Sequence, residues 1–175
     1  MTQKIACPST NLILPVLLFA VTFLASATTG LGQSKCKPGE FQETYYRNMQ
    51  ARGQAAVTRC SKTINHIWSA GTGPVVGSSG GGKADGGTET LKGAYSASFV
   101  GEFSFAGGTY TFYAKADDGV RLWVDNTPLI NQWNDHAATE FNQSMNLSPG
   151  VHRVKVQYYQ NTGDAVIKVW WTPEQ

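Results

Sequence analysis

Apolar and polar side chains alternate along several stretches of the chain from residue 41 onward, and this two-residue period is the pattern of a half-buried β-strand. Helical periodicity is not sustained anywhere beyond residue 34. We place strands at residues 41–47, 63–68, 94–105, 108–116, 119–125, 138–147, 151–159 and 164–172. Short strands separated by Gly, Pro and Asn turns predict an all-β fold, a sandwich or a barrel.

One apolar row in each strand is expected to face the core. The predicted core residues are Phe112, Val120, Leu122, Val156 and Ile167. The alternation stops between residues 69 and 93, where glycine dominates. A long flexible loop is therefore expected there.

The strongest interruption of the pattern is Asp117-Asp118-Gly119, which separates the alternating runs 110–116 and 120–125. Asp-Gly between two such runs predicts a hairpin, because Gly accepts the positive φ of a tight turn. A hairpin needs only one Asp before the Gly. The second carboxylate therefore marks these residues as a candidate functional site.

The first 32 residues have the layout of a secretory signal peptide. Lys4 precedes an apolar run from Leu12 to Ala25, and small residues suit cleavage near residue 27 or residue 32. An uncleaved anchor is the alternative, although the run is shorter than the ~20 residues of a membrane span. Residues 33–175 then form a single secreted domain, extracellular or periplasmic, without a membrane span.

Charge and composition narrow the class of partner. The net charge is +2, charged residues make up 15% of the chain, and Lys and Arg form no cluster. Nucleic acid is therefore not an expected partner. Low charge combined with many aromatic, Gly and Thr residues is typical of extracellular β modules.

Cysteine usage agrees with secretion. Cys7 would leave with the signal peptide, so the mature chain would hold Cys36 and Cys60. In an oxidising compartment these two residues are expected to form a disulfide. Metal binding by them is the weaker alternative, because no further Cys or His lies at ligand spacing.

Catalysis has little support in the sequence. His66, His136 and His152 are scattered, and no nucleophile or zinc-protease motif occurs. Glycoside hydrolysis needs two carboxyl groups separated across a sugar, whereas Asp117 and Asp118 are neighbours. We therefore predict that the protein is not an enzyme.

Several motifs together resemble the PA14 (protective-antigen) family of secreted β-sandwich modules. They are GTYTF at 108–112, ADDGVRLWVD at 116–125, Trp133, SPGVH at 148–152, VQYY at 156–159 and the closing strand 167–171. The similarity covers roughly residues 41–172 and is strongest in the last third. It implies an antiparallel, jelly-roll-like β-sandwich.

The resemblance also implies a metal site. In lectin-like members, the matching Asp pair and an Asn from a second loop bind calcium, and sugar hydroxyls complete the shell. Here these residues are Asp117, Asp118 and Asn161. Adjacent strand residues point to opposite faces, so the two carboxylates converge only if the backbone is bent or the peptide between them is cis. In the alternative without metal, Asp117 caps the turn, and Asp118 bonds the backbone or pairs with Arg121.

Trp133 is the candidate for an exposed aromatic ring on which a sugar could stack, with a place in the core as its alternative. The expected function is calcium-dependent, lectin-like binding of cell-surface or matrix glycans, as in adhesion. The alternative is a structural or protein-interaction sandwich without metal or sugar.

Overall fold

A computed structural model describes residues 36–77 and 89–174, so the expected signal peptide and the centre of the Gly-rich segment lie outside the described residues. The described residues form β-strands and no helix, and so none that could span a membrane. In chain order the strands are β1 (Phe41–Tyr46), β2 (Ala55–Ser61), β3 (Ile64–Trp68), β4 (Val75–Val76), β5 (Glu89–Thr90), β6 (Tyr95–Phe105), β7 (Gly108–Asp117), β8 (Val120–Val124), β9 (Thr127–Gln132), β10 (Thr139–Leu147), β11 (Gly150–Gln160) and β12 (Ala165–Pro173).

The strands form two main antiparallel sheets, so the predicted all-β sandwich is confirmed. The six-stranded sheet has the order β2-β1-β6-β11-β8-β9, and the four-stranded sheet has the order β10-β7-β12-β3. Strands β4 and β5 form a separate two-stranded ribbon. The chain changes sheet repeatedly, for example between β6 and β7, between β7 and β8, and between β10 and β11.

The core fills the space between the two main sheets. The five side chains that the alternation predicts to be buried are all 0% exposed: Phe112, Val120, Leu122, Val156 and Ile167. Aromatic rings join the sheets, since Phe105 on β6 lies 6.0 Å from Phe112 on β7 and 5.6 Å from Trp171 on β12. Burying such rings supplies much of the apolar area that stabilises a sandwich.

The hairpin predicted at Asp117–Gly119 is wrong. Strand β7 pairs with β10 and β12, whereas β8 pairs with β9 and β11, so this segment carries the chain from one sheet to the other. Gly119 does not have a positive φ. Glycine is required there because a Cβ would lie 2.2 Å from the Tyr159 ring. The Asp-Gly signal thus marks a close packing contact and not a two-residue turn.

Some elements have no signal in the alternation. Strands β2 and β9 form the edges of the six-stranded sheet. None of the β2 residues is buried, so β2 carries no apolar row. Pro128 weakens the sequence signal for β9, because proline is uncommon inside a sheet. An edge strand tolerates it. The turn between β8 and β9 is made by Asp125 and Asn126, with φ of 48° and 69°.

Residues 69–77 and 89–93, the described parts of the Gly-rich segment, contact the rest of the domain. Val76 and Leu91 are each 1% exposed, and Leu91 donates its main-chain N–H to the Pro74 carbonyl at 3.0 Å. Both flanks of the glycine run therefore pack into the domain. A disulfide joins Cys36, at the start of the domain, to Cys60 on β2, with a Cα–Cα distance of 5.6 Å.

Candidate functional site

Asp117, Asp118 and Gly119 form what we call the acidic corner, at the passage from β7 to β8. The peptide between the two aspartates is cis. The Asp118 side chain is nearly buried, at 6% exposure, and its Oδ2 accepts a hydrogen bond from the main-chain N–H of Asn161 at 2.7 Å. The structure therefore brings together the three residues proposed from the sequence as ligands.

Strand β11 positions this corner through two consecutive tyrosines. Tyr158 Oη donates a hydrogen bond to the Asp117 carbonyl at 2.6 Å. The main-chain N–H of Tyr159 donates to the Gly119 carbonyl at 2.9 Å. Because β8 pairs with β11 over all five of its residues, these bonds fix the corner against a rigid sheet.

The loop after β11 is held by a buried amide. Gln160 is 3% exposed, and its Nε2 donates toward the carbonyls of Thr162, Gly163 and Asp164 at 2.9, 3.3 and 3.1 Å. A side chain that bonds several backbone carbonyls restrains a loop that has no ladder of its own. Asn161 is therefore presented from an ordered segment.

A third segment, residues 133–138, completes the site. Asp135 accepts hydrogen bonds from Tyr159 Oη at 2.6 Å and from Asn161 Nδ2 at 2.8 Å. These bonds from Tyr159 and Asn161 lower the pKa of Asp135 below its usual value. The Ala138 main chain also bonds the Asp117 carboxyl group. Asn161 is thus held on two sides, by Asp118 through its backbone and by Asp135 through its side chain.

The acidic corner places two carboxylates next to each other, and the Asp117 carboxyl group interacts with His136 as well as with Asp118. Burial and, after it, the charge of Asp118 raise the pKa of Asp117 above its usual value. None of the ion pairs among the described residues involves Asp117 or Asp118. Pairing of Asp118 with Arg121 does not occur, since Arg121 Nε donates instead to Asn131 Oδ1 at 3.0 Å. The metal-free alternative also allowed Asp118 to bond the backbone. That bond is present, since Asp118 Oδ2 accepts the main-chain N–H of Asn161.

The donor atoms at the corner suit a hard cation. Asp117, Asp118 and Asn161 offer carboxylate and amide oxygens, which are the ligands that calcium prefers. With Nδ2 engaged by Asp135, the Asn161 Oδ1 atom is left available as an acceptor. The described residues contain no cluster of three or more His, Cys, Asp or Glu side chains suited to a metal ion. An ion here would therefore need the Asn161 amide together with ligand oxygens.

Trp133, the candidate for an exposed aromatic ring, is half-buried. Its ring lies edge-on to Tyr159, with centroids 4.8 Å apart, and the Arg121 guanidinium lies 4.4 Å from its centroid. A cation–π contact on one face leaves less of the ring for a sugar. The contact with Tyr159 nevertheless places Trp133 beside the acidic corner.

Sequence reasoning missed Asp135 and Tyr159. Asp135 contacts Asn161 across 26 positions of sequence, and Tyr159 contacts Gly119 on another strand connection, so only the tertiary fold brings them to the site. A polar cluster, Asn134-Asp135-His136, follows Trp133 directly, and it is the available sequence signal for Asp135.

Comparison with known proteins gives the following similarities. The family model described as the PA14 domain matches residues 36–175. The anti-sigma-I factor RsgI3 of Acetivibrio thermocellus is 45% identical over 65 residues, which are 37% of this chain and 10% of that protein.

Solved structures show the same fold. An anti-sigma factor domain-containing protein aligns with a TM-score of 0.63 and 31% identity, covering 77% of this chain and 43% of that one. A PA14 sugar-binding domain from an RTX adhesin aligns with a TM-score of 0.61 and 18% identity, covering 78% and 90%. The chain thus spans a tenth of the curated relative and less than half of the anti-sigma structure.

Proposed function

Because the chain belongs to the PA14 domain family, we propose that it is a carbohydrate-binding module with a calcium site at the acidic corner. One observation carries this proposal. The nearly buried Asp118 carboxylate bonds the Asn161 main chain beside a second carboxylate, and neither Asp117 nor Asp118 forms an ion pair with a described residue. Such an arrangement is costly unless a cation joins it.

Each residue would have a distinct task. Asp117 and Asp118 would bind the ion through carboxylate oxygens, and Asn161 would bind it through Oδ1. Bound calcium would supply open coordination positions for a pair of sugar hydroxyls. Asp135 would accept the hydrogen bond from Asn161 Nδ2, so that Asn161 Oδ1 points away from the Asp135 carboxylate. Trp133 and Tyr159 would provide the apolar side of the site.

The comparisons support a binding role and a location outside the cell. A sugar-binding domain of an adhesin has the same fold. Disulfides such as Cys36–Cys60 persist in oxidising compartments. We therefore propose secretion, with cell-surface or matrix glycans as partners and without catalysis by this domain.

A second candidate is a protein-interaction module that needs neither metal nor sugar. It is favoured by the identity to anti-sigma factors, whose name denotes action on another protein. In that case the bond from Asn161 to Asp118 would serve the fold alone.

A glycan array probed with the mature protein, with calcium and with a chelator, separates the two candidates. We expect glycan binding that requires calcium and that is lost in Asp118→Asn and in Asn161→Ala. Glu102→Gln, an exposed acid-to-amide change on β6, is the matched control and should bind as the wild type does. Folded protein that binds no glycan in calcium would refute the carbohydrate function.

A further inference from the structure

A groove of about 390 Å³ adjoins the acidic corner on the outer face of the four-stranded sheet. Asp117 and Asp164 line it, together with Lys115 and Lys168. Its volume lies within the range of sites for small molecules. Because Asp117 belongs both to this groove and to the acidic corner, a ligand bound at the corner could extend directly into it.

Two lysines lie side by side in this groove. Lys115 on β7 and Lys168 on β12 are register partners, so their side chains are direct cross-strand neighbours. Like charges in such positions destabilise a sheet. Neither lysine forms an ion pair within the described ranges. Glu140 is the register partner of Lys115 on the other side, yet it also makes no ion pair there.

The wall of the groove is apolar beside the lysines. Ile67 on β3 is 67% exposed, which is unusual for a large aliphatic residue in a sandwich, and it is the register partner of Val166. Trp68 lines the same groove and is half-buried. The C–H face of a sugar ring suits such a wall, because it buries apolar area without losing hydroxyl hydrogen bonds.

We propose that this groove selects an acidic saccharide, whose carboxylate binds between Lys115 and Lys168. The proposal rests on the carbohydrate function above and specifies its ligand class. The two lysines, which form no ion pair with a described residue although Asp117 and Asp164 line the same groove, receive the anionic group, and Ile67 packs against the ring. The neighbouring hydroxyls reach the acidic corner past Asp117. A neutral sugar would leave the two ammonium groups without a partner.

The test compares uronic-acid oligosaccharides with their methyl esters, which remove the charge and keep the ring. Dissociation constants of the mature chain would be measured in calcium for glucuronate, mannuronate and galacturonate pairs, at low and at moderate salt. We expect the acid of at least one pair to bind about tenfold more tightly than its ester, with the advantage shrinking as salt rises. Poly-L-glutamate serves as an acidic ligand that is not a sugar.

Substitutions of the two groove lysines test whether these residues cause the preference for the acid over the ester. Lys115→Gln and Lys168→Gln should each weaken acid binding about threefold and leave ester binding unchanged. The control is Lys155→Gln, since Lys155 lies on the other sheet against Trp123, 5.0 Å from its ring centroid. Equal binding of acid and ester, or unaltered binding in both groove variants, would overturn the groove proposal and leave the sugar site standing. Binding of neither form would overturn the groove proposal, whereas the glycan array decides the carbohydrate function separately. Equal binding of polyglutamate would overturn the saccharide class.

Discussion

Asp118 Oδ2 accepts the main-chain N–H of Asn161 at 2.7 Å, across 43 positions of sequence. This bond ties the passage between the two sheets to the loop that follows β11. It also places the Asp118 carboxylate against the backbone of Asn161, with Asp117 next to Asp118 in sequence. The carbohydrate proposal depends on this juxtaposition.

Gly119 should tolerate no side chain, because a Cβ would meet the Tyr159 ring at 2.2 Å. We expect Gly119→Ala to lower the free energy of unfolding by about 1–3 kcal/mol in urea denaturation. Gly77→Ala, where a Cβ meets nothing within 4 Å, is the control and should change it by less than about 0.5 kcal/mol. Combining Gly119→Ala with Tyr159→Leu should restore part of the loss. An unchanged unfolding free energy in Gly119→Ala would contradict the close contact.

His152 and Asp125 should make stability depend on pH. The His152 ring bonds the Asp125 carboxylate through Nδ1 and the Ser148 carbonyl through Nε2 at 2.9 Å. Both ring nitrogens face acceptors, so the charged imidazolium fits the site best. The bonds to Asp125 and then to Ser148 raise the pKa of His152 above its usual 6.5. Burial acts to raise the pKa of Asp125, but bonds from His152 and the Arg153 main chain outweigh it and leave that pKa below 3.8.

The raised pKa of His152 contributes stability that is complete below pH 6.5 and is lost as pH rises through the folded-state value. The lowered pKa of Asp125 contributes stability that is present above pH 3.8 and is lost as pH falls through its folded-state value. Thermal melts should therefore show a fall in stability as pH rises above 6.5, and His152→Gln and Asp125→Asn should both lack that component. An identical slope in wild type and variants would show that the pair does not titrate as described.

Asp135 should act on the site through Asn161. Removing a partner that orients a metal ligand typically weakens metal affinity about 10–100-fold. We expect Asp135→Asn to weaken calcium binding within that range in calorimetric titration and to leave the unfolding curve in chelator nearly unchanged, because Asp135 is exposed. Tyr159→Phe, which removes the second bond to Asp135, should weaken it less. Wild-type calcium affinity in Asp135→Asn would mean that Asn161 needs no such partner.

Alternation along the chain was sufficient to predict the strands that bury one face, such as β7 with Phe112 and β8 with Leu122. It could not reveal β2, which buries no residue, because an exposed edge strand has no apolar row. It also could not show that β7 and β8 belong to different sheets, because Asp-Gly is a local signal and pairing partners are chosen at long range. The candidate ligands came from a family resemblance, whereas Asp135 depends on contacts that only the folded chain creates.

Thermal unfolding of the protein over a calcium series, for wild type and Asp118→Asn, tests the central claim most directly. Binding to the folded state alone should raise the wild-type unfolding free energy by about 1.4 kcal/mol for each tenfold increase in calcium above the dissociation constant. Asp118→Asn should show little of this rise, and magnesium, which demands a tighter octahedral shell, should substitute poorly. A wild-type unfolding curve that is the same in calcium and in chelator would contradict a calcium site at the acidic corner.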